Sequence, residues 1–178
     1  IHVDIFIVEP TAERNYYTLV TSGMGAHRMN VPKELAEYKL ERAEIVVYLP
    51  ADWNISDHEE KNYWPLRWLK ILARLPLEED SWLGWGHSVP NGKPFAENTQ
   101  LSSVLLINPE NVEEGAAVCQ LPNGEEVNFY QMIPLYEEEV NFKIQNGAET
   151  LLGKMGEISA VVDIHRLNVC EGFGRPKE

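Results

Sequence analysis

WLGWGHSVPNGKPFAENTQLSSVLLINP, residues 82–109, sets glycines, Trp82, Trp85 and His87 directly before the most apolar strand-like run in the chain. The stretch reads as a large ordered loop feeding a buried strand at 101–107. Gly84 and Gly86 permit backbone conformations closed to other residues. Pro90-Asn91-Gly92 is a turn signal, and the apolar run stops at Asn108-Pro109. Loops of this length are functional or disordered, and the tryptophans argue against disorder.

Working outward, the rest of the chain supplies the frame such a loop needs. Residues 3–8 alternate in strand fashion, with Val3, Ile5 and Ile7 set against Asp4, Phe6 and Val8, and a hairpin returns through 16–21. Residues 43–49 are near-continuously apolar and end at Pro50, which suits a central strand. A helix is predicted over 63–75, capped by Asn62, with Pro65 in its first turn and Trp64, Trp68, Ile71, Leu72 and Leu75 facing a sheet. Pro122-Asn123-Gly124 joins strands 117–121 and 126–133, Asn-Gly being the strongest short hairpin signal. A second helix, 136–152, places Tyr136, Val140, Ile144, Ala148, Leu151 and Met155 on one face and Glu137 to Glu139 in its first turn; Asn146-Gly147 is where it would break. A last strand is expected at 160–164, followed by a polar tail that frays. The sum is one α+β domain over 1–178, an α/β sandwich whose mostly antiparallel or mixed sheet carries packed helices. Leu105, Val46, Ile133, Trp68 and Ile144 are its expected core.

Fifteen Lys and Arg against 28 Asp and Glu leave a net charge of -13. That charge opposes a phosphate backbone, so no nucleic acid partner is expected, and it suits a basic one, although acidity also serves plain solubility. No apolar run approaches the roughly 20 residues of a membrane span and no signal peptide opens the sequence, so a cytoplasmic protein without membrane attachment is expected. Ile1 lies already inside a strand pattern, and an additional N-terminal segment is expected upstream. Cys119 and Cys170 show neither CxxC nor Cys/His spacing. The glycine-bearing loop at 22–27 lacks nucleotide-binding spacing.

The case for catalysis is thin. His2 with Asp4, and Asp163 with His165, stand two residues apart on strand faces, and His87 completes the best metal-site candidate. An ordinary hydrogen-bonded pair is the plainer reading of each. No HExxH or GxSxG motif exists, Ser88 lacks a nucleophile's strand-to-helix setting, and Cys170 is merely a sequence neighbour of His165. The residues therefore point away from an enzyme, with no catalytic residue, metal or cofactor. Arg67, Lys70 and Arg74 form a basic helix stripe that reads as solvated surface. Aromatic residues near glycine-bearing loops favour a binding module instead.

Seven segments in order, YYTLVTSGM, AEIVVYLPADW, YWPLRWLKILARLP, WLGWGHSVPNG, PFAENTQLSSVLLINP, VNFYQMIPLYEEEVNFKIQNG and DIHRLNVC, resemble the suppressor of fused domain family in its compact bacterial form, over residues 4–170. The resemblance implies a helical character for the upstream segment and a protein partner rather than a substrate. Animal members grip a transcription factor of the Gli zinc-finger type between two domains; the 178 residues correspond to one of these, so that clamp does not carry over. Compact bacterial relatives look like immunity proteins, or antitoxins, encoded beside polymorphic toxins that are often nucleases. The expected function is thus stoichiometric neutralisation of a cognate basic toxin. Sequestration of another protein such as a transcription factor, a metal-dependent enzyme and a ligand-binding module are the alternatives. His87, Pro90, Phe95, Asn98 and Leu101 mark the family's loop, and Trp82, Trp85, His87, Asn91, Glu97 and Asn98, with Asp80 nearby, are the candidate partner-binding residues.

Overall fold

The apolar run 43–49 lies in the middle of a seven-stranded sheet in the computed structural model, which describes residues 1–157 and 160–176. The strands are β1 (Asp4–Val8), β2 (Tyr16–Ser22), β3 (Arg42–Pro50), β4 (Ser88–Pro90), β5 (Ser103–Ile107), β6 (Val118–Gln120) and β7 (Glu126–Leu135). Their order is β1-β2-β3-β7-β5-β4, with β6 pairing the start of β7. Only β3 and β7 run parallel; every other pair is antiparallel, so the sheet is mixed as expected. The Asn123-Gly124 hairpin closes with Gly124 at φ 84, a left-handed conformation that glycine adopts without strain.

Period-two alternation divides the strands between two cores. Ile45, Val47 and Leu49 of β3, Val104 and Leu106 of β5, and Met132 of β7 meet Trp64, Trp68, Leu69 and Leu72 of α1 (Glu60–Glu78). On the opposite face, Leu105, Ile107 and Leu135 meet Val140 of α2 (Glu137–Asn146) and Ala148, Leu151 and Met155 of α3 (Ala148–Met155). A continuous apolar run such as 43–49 or 103–107 is what a strand covered on both faces requires.

Four expectations need correction. The first helix starts at Glu60, because Asp57 accepts hydrogen bonds from the Glu59 amide and the Asn62 side chain; Asn62 braces the entry from inside the helix rather than capping it. Its buried stripe runs through Leu69 and Ala73, leaving Ile71 exposed. The second helix is two, parted at Gly147 with φ 91 where the sequence marks a break, and Ile144, near the end of α2, is 70% exposed rather than core. Ile133 is only half-buried, for a reason given below, whereas Leu105, Val46 and Trp68 are core.

The fourth correction bears on the site. Residues 160–164 form no strand; Val161 makes an isolated parallel bridge with Tyr48. The first half of β7 follows β3 from Val127 opposite Arg42 to Gln131 opposite Val46, and its second half turns to β5, from Gln131 to Leu135. Where the strands part, the fully buried Gln131 donates to the Ala160 carbonyl and accepts from the Glu110 amide. The Val162 amide bonds to the Tyr48 carbonyl, and the Tyr48 hydroxyl donates to the Glu110 carbonyl at 2.9 Å. Burial, with Tyr16 nearby, pushes the Tyr48 phenol up to about 12, so it remains a donor. A buried amide without these partners would cost about 1–3 kcal/mol; satisfied, it pegs the strap 160–169 to the sheet.

Candidate functional site

The strap has a second, stronger anchor. Arg166 reaches the fully buried Glu139 at 2.5 Å and 2.8 Å, and donates to the Pro134 carbonyl at 2.9 Å. Glu139 also accepts from the Tyr136 and Val169 amides, so each carboxylate oxygen is satisfied. The Tyr136 ring lies 5.0 Å under the guanidinium and its hydroxyl donates to the Arg166 carbonyl. A buried pair with all its hydrogen bonds made holds geometry, while removal of one partner costs about 3–5 kcal/mol.

Between these anchors the strap, β5, β7 and α3 leave an apolar groove of about 840 Å³. Ile107, Ile133, Leu152, Met155, Val162 and Val169 line it, which is why Ile133 remains half-open. Trp85 lines it too and is 44% exposed. The loop holding Trp85 is fastened to β5: the Gly86 amide bonds to the Leu106 carbonyl at 2.7 Å, and the Leu106 amide to the His87 carbonyl at 2.9 Å. Gly86 has φ 81, and a Cβ on Gly84 would stand 2.8 Å from the Trp82 ring, so both glycines are demanded by the fold.

The six candidate residues do not share one surface feature. Trp82 packs half-buried against the α1 core and makes an edge contact with the His87 ring, centroids 4.4 Å apart. His87 is half-buried, its Nδ1 accepting from the Gly84 amide; burial and then the Lys143 ammonium hold its pKa below the ordinary 6.5. Asn91, Glu97 and Asn98 line a different groove of about 970 Å³ beside the start of α1, with Glu59, Lys61 and Lys93. Phe95 is locked beneath it, stacked on Trp64 at 4.6 Å and edge-on to Trp68 at 5.4 Å. Asp80 is exposed, at φ 47, and accepts from Asn30.

Other candidates resolve into local pairs. His2 Nε2 lies 3.1 Å from Asp4, and Asp163 accepts from the His165 backbone amide. Among the described residues no three His, Cys, Asp or Glu side chains are gathered as metal ligands, and no helix is long and apolar enough to cross a membrane. Arg67 is held by both carboxylate oxygens of Glu60, and Lys70 by the Tyr63 hydroxyl. The strap with its Arg166–Glu139 lock is what sequence reasoning missed; the partners are 27 positions apart, and nothing local links them.

The sequence model of the family described as Suppressor of fused protein (SUFU) matches residues 1–167. The chain belongs to the suppressor of fused family. An uncharacterised protein of Ureaplasma parvum serovar 3 is 28% identical to it over 167 residues, covering 93% of this chain and 78% of that protein. A suppressor of fused homologue from Neisseria gonorrhoeae has a TM-score of 0.66 at 20% identity, over 94% of this chain and 78% of the other. The structure of a Sufu–Fu complex scores 0.64 at 14% identity, over 94% and 76%. Drosophila Suppressor of Fused also scores 0.64, at 15% identity, where 94% of this chain spans 42% of the longer one. These likenesses establish the shared fold.

Proposed function

We propose that this suppressor of fused chain acts by stoichiometric, non-catalytic binding of a basic protein, as an immunity protein that neutralises a cognate nuclease-type toxin. The observation that carries the reading is Trp85, a large aromatic on a backbone hydrogen-bonded to β5, exposed at the edge of an apolar groove. Aromatic anchors beside pockets dominate binding energy at interfaces. The charge of -13 supplies a field that steers a basic partner towards it and repels nucleic acid. Regulatory sequestration of a different protein is the second reading, favoured by the solved Sufu–Fu complex of a structural neighbour.

Titrating the protein against a toxin encoded beside it, with toxin activity read in parallel, tests the proposal. A one-to-one complex with activity lost in proportion supports it. Undiminished toxin activity at a molar excess of this protein, with no heat of binding, overturns it.

A further inference from the structure

Resting on that protein-binding reading, we infer that the Trp85 groove is the docking site, and that it takes a partner segment in which large apolar side chains stand next to lysines or arginines. Three observations converge on the groove. Its floor is apolar, and two exposed residues extend that surface outward: Trp85, and Leu167, which is 85% exposed. Contiguous exposed apolar surface of this type marks interaction sites. Its volume matches clefts that enclose a drug-sized ligand or a few side chains.

Charge chooses the occupant. Glu110 and Asp163 line the groove, and among the described residues neither is paired with a lysine or arginine. The lining cation Arg166 is already committed to Glu139. Among its lining residues the groove thus sets two carboxylates without a close cation beside apolar walls, and an acidic or purely apolar segment would leave them without a counter-charge. By contrast, the groove beside Asn98 mixes Glu59, Glu60 and Glu97 with Lys61, Arg67 and Lys93, and the pairs Lys61–Glu59 and Arg67–Glu60 are already made. It has no net sign to select a partner.

The test uses the full chain and three synthetic peptides of one length: leucine with lysine, the same pattern with each lysine replaced by glutamate, and the same pattern with each leucine replaced by serine. Calorimetric titration should show binding of the leucine–lysine peptide alone. Trp85→Ala, Leu167→Ser and the pair Glu110→Lys with Asp163→Lys should each weaken it roughly tenfold or more, and the charge-reversed pair should now accept the leucine–glutamate peptide. Glu59→Lys with Glu97→Lys changes the net charge equally and should leave affinity within about threefold, which separates a site from general attraction. Melting curves confirm that each variant is folded. Equal loss from both charge reversals, tight binding of the serine–lysine peptide, or no binding at all overturns the inference. A toxin complex that survives the Glu110 and Asp163 reversals at full affinity overturns the groove assignment and leaves the protein-binding reading standing. Absence of any toxin complex overturns that reading instead, while the peptide titration still decides the groove.

Discussion

Trp85 and Phe95 sit ten positions apart in one loop, both aromatic and both beside glycine or proline, yet the fold uses them oppositely. Phe95 is 4% exposed and sandwiched into the α1 core; Trp85 is turned out over the opposite side of β5. The same segment therefore fastens itself at one end and displays a ring at the other. What separates them is the surroundings: Phe95 meets Trp64 and Trp68, whereas Trp85 lines an open groove together with buried Ile107 and half-buried Ile133.

Truncating the fastened end should have the largest effect. Phe95→Ala removes a ring from a dense cluster and is expected to cost about 3–5 kcal/mol of stability, read from denaturant unfolding; a loss under about 1 kcal/mol would break the contrast. Glu139→Ala, which leaves Arg166 buried without its carboxylate, should cost a similar amount, about 3–5 kcal/mol. Hydrogen exchange at Val162 and Val169 should then rise if the strap loosens as expected.

Smaller effects sharpen the picture at the loop itself. Gly86→Ala forces a side chain into φ 81, with its Cβ 3.4 Å from that of Ala148, and should cost about 1 kcal/mol. His87 gives a pH signature. Its folded pKa is depressed by burial and by Lys143, so the unfolded chain takes up the proton first. Stability from this residue is present above about 6.5 and declines as the pH falls below it. Melting temperature should drop between about pH 7 and 5 by less in His87→Gln than in the parent, and equal drops would remove the assignment.

Elements covered on both faces were legible in the sequence. Residues 43–49 read as a central strand because burial on both sides leaves no polar alternation, and Asn123-Gly124 announced its hairpin through backbone preference alone. Residues 160–164 have the same local pattern, yet form no strand, since β7 already occupies the β3 edge up to Val46 and leaves room for one bridge. Ile144 lies one helical turn beyond buried Val140 on α2 and is nonetheless exposed, so the spacing of the stripe did not reveal where packing on that face ends. The sequence named the loop's candidate residues but not that Trp85 lines one groove and Asn91, Glu97 and Asn98 another, because that separation depends on strand β4, Ser88 to Pro90, turning the chain along β5. The groove walls come from five segments between Trp85 and Val169, and no local spacing joins them.

The central claim is that Trp85 binds rather than packs, and one substitution measures it. Trp85→Ala should leave the unfolding free energy within about 0.5 kcal/mol, as expected for an exposed position, and should weaken the complex with the cognate basic partner by more than about 1 kcal/mol. A loss of about 3 kcal/mol or more in stability, with partner affinity unchanged for the molecules that remain folded, would contradict it.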